Sequence, residues 1–119
     1  MKSIGNKFED RATQLLAAQG LKILARNYAA KTGEIDIIAL ENNCLVFLEV
    51  RARSNRHYAS AAASVDRRKQ QRILRTAQYF LKANPKWAQA ACRFDVIAFE
   101  PQNSTKELSA NWIKSAFTA

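Results

Sequence analysis

The chain has 119 residues, a formal net charge of +9 from 19 Lys and Arg against 10 Asp and Glu, and two cysteines. That length suits one domain, here the whole of residues 1–119, with a core that needs no covalent staples. The apolar runs fall well short of the roughly 20 residues of a membrane span, and MKSIGNKFED at the N-terminus lacks a signal peptide's apolar region, so a cytoplasmic protein without membrane contact is expected.

The first predicted element is a helix. Phe8, Ala12, Leu15 and Leu16 recur at helical spacing; Asn6 and Glu9 fit a capping box, and Gly20 supplies the stop. LKILARNYAA is a strand candidate, and Lys31-Thr32-Gly33 a turn. GEIDIIAL then alternates, with Ile35 and Ile37 expected on one face and Glu34, Asp36 and Ile38 on the other. Asn42 and Asn43 tolerate positive φ and suit a hairpin. CLVFLEV reads as a central strand. A loop of small residues, SNRHYASAAA, follows. A second helix starts near Ser64 or Asp66, with Ile73, Leu74, Ala77, Phe80 and Leu81 inward, and ends at Asn84-Pro85. CRFDVIAFE is a strand apolar on both faces, Pro101 to Thr105 a turn, and ELSANWIKSAF a short edge strand running into a helical turn. Cys44 and Cys92 are far apart in sequence, match neither a disulfide framework nor a zinc pattern, and are expected as reduced core residues. The order α-β-β-β-α-β predicts an α/β fold, a mixed sheet flanked by helices.

Charges interrupt the strands. Glu34, Asp36, Glu49 and Arg51 fall in apolar runs, which costs stability unless they are paired or bind metal. Glu49 and Arg51 share a face, as do Glu34 and Asp36. If the strands pair through the Asn42-Asn43 hairpin, one register sets Asp36 beside Glu49. Two close carboxylates repel, and a divalent cation removes the conflict. Magnesium held by two carboxylates, waters and a substrate phosphate suits phosphodiester hydrolysis. The alternative is a buried ion pair of Glu49 or Asp36 with Arg51.

The second charge signal is a cluster. Arg51, Arg53, Arg56, Arg67, Arg68, Lys69, Arg72 and Arg75 face only Asp66 between positions 51 and 75. Such a segment predicts attraction to a polyanion; the alternative is a solvated helix face.

These motifs carry a resemblance. FED with Ala12 in the first helix, GEIDIIA at 33–39, VFLEVRAR at 46–53, SVDRRKQ after an Ala-rich stretch, CRFDVIAF at 92–99 and WIKSAF at 112–117 resemble the YraN family of bacterial endonuclease-like proteins. The resemblance implies a restriction-endonuclease-like core of the PD-(D/E)xK type. It implies Asp36 and Glu49 as ligands of Mg or Mn, with Glu9 at an acidic position that helps hold the metal or its waters. Glu9 equally suits a cap. Arg51 occupies the motif's lysine position. Arginine stays protonated and cannot act as a general base, so Arg51 is expected to contact the scissile phosphate or position water, and Lys69 is an alternative ammonium. Arg53, Arg56, Arg68, Lys69, Arg72 and Arg75 are expected to grip nucleic acid, DNA before RNA, and a homodimer would fit cutting two strands. A fold that binds DNA or a protein partner with its catalysis weakened or lost is the alternative function. His57 is expected to be exposed and non-catalytic, Asp95 to pair with a helix arginine, and Trp87 and Trp112 to be packing residues.

Overall fold

The computed structural model describes residues 6–52, 65–101 and 108–118. Arg53 and the whole small-residue loop, with Arg56 and His57, lie outside them, as does most of the turn after Pro101. The elements are α1 (Asn6–Ala18), β1 (Lys22–Ala30), β2 (Gly33–Glu41), β3 (Cys44–Ala52), α2 (Arg67–Ala83), a 3-10 turn (Pro85–Trp87), β4 (Ala91–Pro101) and β5 (Leu108–Phe117). The five strands form one sheet in sequence order. All neighbours are antiparallel except β3 and β4, which run parallel and are joined through α2, as parallel strands require a long crossover. This is the expected mixed α/β core, with one more strand than the expected order.

Local chemistry explains the boundaries. α1 ends in a Schellman motif: Leu21 N–H donates to Leu16 C=O at 3.0 Å and Gly20 N–H to Ala17 C=O at 3.0 Å, with Gly20 at φ +91° and Leu21 packed in the same cluster as Leu16. The β2–β3 hairpin turns at Asn42, φ +55°. Asp66 caps α2 by accepting from Lys69 N–H at 2.9 Å.

Both sheet faces are buried, which is why β3 reads as a continuous apolar run. Leu45 and Phe47 pack with Ile73, Ala77 and Phe80 of α2, whereas Val46 and Leu48 pack with Ala12 and Leu16 of α1. β2 departs from strict alternation. Ile35 and Ile38 join the α2-side cluster while Ile37 and Ala39 join the α1-side cluster. Ile35 and Ile37 therefore do not share a face as expected; the period slips at Asp36.

Three further expectations are corrected. The C-terminal segment is a ten-residue strand paired with β4, with no helical turn. Asp95 pairs with Arg93 of its own strand rather than with a helix arginine: Arg93 Nε donates to Asp95 Oδ1 at 3.0 Å, Trp112 Nε1 to Oδ2 at 2.9 Å and Ser115 N–H to Oδ1 at 2.9 Å. Asp95 is fully buried, and it fixes the irregularity at which β5 slips against β4, where Ser115 takes φ +51°. Trp112 is thus a hydrogen-bonding residue as well as a packing one. Cys44 is half-buried and Cys92 exposed, so the latter is not a core residue; both thiols are free.

Candidate nuclease-like acidic site

Asp36 and Glu49 come together where β2 and β3 leave the ladder. The regular β2–β3 pairing stops at Ile37 opposite Leu48, so the next backbone donor on β3 is free to take a side chain. Val50 N–H donates to Asp36 Oδ2 at 2.8 Å. That bond fixes the carboxylate and explains the slip in β2.

The two acids face a pocket of about 300 Å³ lined by Phe8, Glu9, Asp36, Glu49, Val50, Arg51, Ala52 and Lys69. Residues from α1, β2, β3 and α2 therefore converge there, as the paired strands and the α2 crossover require. Burial, and then the neighbouring Glu49 carboxylate, push the Asp36 carboxyl up to about 7, against the opposing Val50 N–H bond. A carboxyl that is half protonated at neutral pH is a strained ground state for an acid, and one that a cation relieves.

Glu49 is 3 % exposed. Its Oε2 receives Lys69 Nζ at 2.9 Å, and Arg51 Nη2 lies farther off at 4.0 Å. Its Oε1 is buried and finds no hydrogen-bond partner among the described residues, nor does Arg51 Nε. Among the described residues Lys69 is therefore the cation nearest Glu49, reaching in from the first turn of α2. Glu9, 9 % exposed, lines the same pocket and receives Arg26 Nη2 at 3.4 Å, while Arg26 reaches Asp10 at 2.8 Å. Sequence reading missed Arg26. Its signal was weak: a lone interior base in β1, on a strand whose bulges hide which face it takes.

The donor set suits a hard divalent cation. Asp36 and Glu49 supply carboxylate oxygens, and Oε1 of Glu49 is a buried lone-pair site with no hydrogen-bond donor among the described residues. Among the described residues no three His, Cys, Asp or Glu side chains group as a metal cage, so the remaining positions would fall to water and substrate phosphate, which is the common pattern for magnesium.

The expected nucleic-acid residues of α2 form a surface. Arg68, Arg72 and Arg75 are exposed and lie at i, i+4 and i+7, on one helix face. α2 carries six Lys or Arg and no acid over its 17 residues. Among the described residues no helix is long and apolar enough to cross a membrane.

A family model described as "Uncharacterised protein family UPF0102" matches residues 8–99. The chain is 48 % identical over 114 residues to a UPF0102 protein of Saccharophagus degradans, covering 96 % of this chain and 92 % of that protein. It is 44 % identical over 116 residues to one of Alcanivorax borkumensis, covering 98 % and 92 %, and 42 % identical over 116 residues to one of Stutzerimonas stutzeri, covering 98 % and 95 %. The matched span holds Glu9, Asp36, Glu49, Arg51 and all of α2, and the chain belongs to the UPF0102, or YraN, family.

Proposed function

We propose that this chain binds DNA and hydrolyses its phosphodiester bonds with a divalent metal, choosing substrates by backbone shape rather than base sequence. The observation that carries the reading is the pairing of half-buried Asp36 with buried Glu49, whose Oε1 has no hydrogen-bond partner among the described residues, beside a helix whose charged residues are all basic. Asp36 and Glu49 would hold Mg or Mn. The bound cation would supply Lewis-acid polarisation of the scissile phosphate and of an attacking water.

The chain's own residues supply the rest. Val50 N–H orients Asp36. Lys69, fixed on Glu49, presents an ammonium beside the scissile phosphate, where it can stabilise developing charge or orient water. Arg51, as a guanidinium, serves as an electrostatic contact rather than a base. Arg68, Arg72 and Arg75, with Arg53 and Arg56 of the neighbouring segment, hold the backbone; such contacts carry no sequence information.

A second reading has one specific observation in its favour. The Lys69 ammonium at 2.9 Å already neutralises Glu49 without a metal, as in a nuclease-fold module that binds DNA or a protein partner and does not cut. Cleavage assays on labelled duplex, single strand, flap and four-way junction, with Mg and with Mn, separate the two. Wild-type cleavage that vanishes in Asp36→Asn supports the nuclease. Retained binding with no cleavage by either protein supports the module.

A further inference from the structure

A second pocket, of about 280 Å³, lies on α2 and is lined by Thr32, Arg75, Gln78, Tyr79 and Lys82. It shares no residue with the acidic site. Its volume is just below the roughly 300–1,000 Å³ usual for small-molecule sites, so it has room for one planar ring rather than a larger ligand. Tyr79 is 37 % exposed and is the large hydrophobic side chain left at the surface among the described residues. The part of its surface that stays open lies on the pocket wall that also carries Arg75 and Lys82.

The pocket is built, not incidental. Arg75, Gln78, Tyr79 and Lys82 stand at i, i+3, i+4 and i+7, one helical stripe. The facing wall is the β1–β2 turn. Thr76 Oγ1 donates to Arg72 C=O at 2.9 Å, so its proton is committed and Thr32 Oγ1 is the donor in the 2.7 Å contact between the two hydroxyls. Thr76 is fully buried, and this bond pins the turn to the helix. Gly33, which follows Thr32, takes φ +144°, a conformation that L side chains rarely adopt; a Cβ there would meet Thr76 Oγ1 at an ordinary 3.7 Å, so the demand for glycine is conformational rather than steric.

Tyr79 and Lys82 also extend a longer feature. Arg68, Arg72, Arg75, Tyr79 and Lys82 fall at i, i+4, i+7, i+11 and i+14, all on one exposed face. The stripe is about 21 Å long. Tyr79 sits about 15 Å along the axis from Lys69, or four to five nucleotides at about 3.4 Å each.

We infer that this pocket is a nucleotide subsite in which Tyr79 stacks on an unpaired base while Arg75 and Lys82 hold the phosphates to either side. The substrate is then a nucleic acid with a single-stranded stretch a few nucleotides from the acidic site. The chemistry selects this ligand. Cations at both ends recognise phosphates, the ring offers a π-face, and the Gln78 amide can donate to and accept from a base edge. Bases inside a duplex stack on one another and present no face to the ring, whereas an unpaired base does. The inference rests on the nucleic-acid-binding part of the proposed function and not on cleavage.

The test is equilibrium binding without divalent metal, with EDTA present, to oligonucleotides carrying 2-aminopurine in a single strand and in a matched duplex. Wild type, Tyr79→Ala and Tyr79→Phe are compared. Alanine suits an exposed helix position, so folding should be retained, and an unchanged melting temperature checks it. Tyr79→Ala is expected to weaken single-strand binding about tenfold, within the range for one lost base–aromatic stack, to leave duplex binding unchanged and to abolish 2-aminopurine quenching. Tyr79→Phe should match wild type. Equal loss on both substrates, no loss on either, or a Phe variant as weak as Ala would overturn the subsite alone. Absence of binding by wild type to either polymer would overturn it together with the nucleic-acid reading.

Discussion

Asp36→Asn should stabilise the metal-free protein while abolishing cleavage. The native carboxyl titrates near 7 against an ordinary value of 3.8, because of burial and of the adjacent Glu49. A carboxyl raised in the folded state binds its proton more tightly there than in the unfolded chain. Stability is therefore highest below pH 3.8 as far as this group is concerned, falls as pH rises from there to about 7, and is level above. The full shift corresponds to about 4 kcal/mol at 1.36 kcal/mol per pH unit. Asp36 is only partly buried, so solvent screens part of this, and about half, or ~2 kcal/mol, is the working figure. Asparagine keeps an oxygen for Val50 N–H and removes the charge. In thermal melts with EDTA, the variant should match wild type near pH 4 and exceed it by about 8 °C at pH 8, using roughly 4 °C per kcal/mol for a domain of this size. Adding Mg or Mn at pH 8 should raise the wild-type melting temperature and leave the variant's unchanged. A difference between the two proteins that does not vary with pH, or that favours wild type at pH 8, would refute the assignment of a strained acid pair.

The remaining predictions concern other residues. If Lys69 is the working ammonium, Lys69→Met should lower kcat about 10²-fold or more, while Arg51→Lys stays within about tenfold of wild type; single-turnover cleavage on the preferred substrate orders the two. Neutralising five phosphates with Arg53, Arg56, Arg68, Arg72 and Arg75 gives a log–log salt slope near −4.5 on duplex DNA, and each alanine substitution should reduce it by about 0.9; titrations from about 50 to about 200 mM salt read this directly, and a slope near zero would remove nucleic acid as the partner. Asp95→Ala leaves Arg93, Trp112 Nε1–H and Ser115 N–H facing a vacancy, and should cost about 3–5 kcal/mol in urea unfolding.

The parts of the fold that were legible are those whose signals are local. The α1 stop at Gly20, the Asn42 hairpin and the Asp66 start of α2 each follow from one or two residues with particular backbone or capping chemistry. The pairing of Asp36 with Glu49 was legible too, because a two-residue hairpin fixes the register on both sides of it. What escaped were features set by partners distant in sequence. The slip at Asp36 depends on a backbone donor fourteen residues on. The C-terminal strand is an edge strand with exposed Asn111, Lys114 and Ser115, so its pattern is weak, and its shape is set by a buried acid twenty residues earlier. Lys69 stood in the sequence only as an alternative ammonium to Arg51; the placement of the first turn of α2 sets it closer than Arg51 to Glu49. Thr76, wholly buried on α2, resembles a surface threonine until the β1–β2 turn is known to rest on it.

α2 also has a cost in the free protein. Arg68 and Arg72, Arg72 and Arg75, and Lys69 and Arg72 are like charges at helical-neighbour spacing with no acid among them, each pair unfavourable by about 0.2–0.5 kcal/mol. The helix is held by the apolar face that Ile73, Ala77 and Phe80 bury, not by its own surface. Added salt should then act with opposite signs on the two states of the molecule: it screens the repulsion and steadies the unliganded fold, while it loosens the grip on a polyanion. On the proposed function, the unbound protein would in this sense be an electrostatically loaded form that bound phosphates discharge.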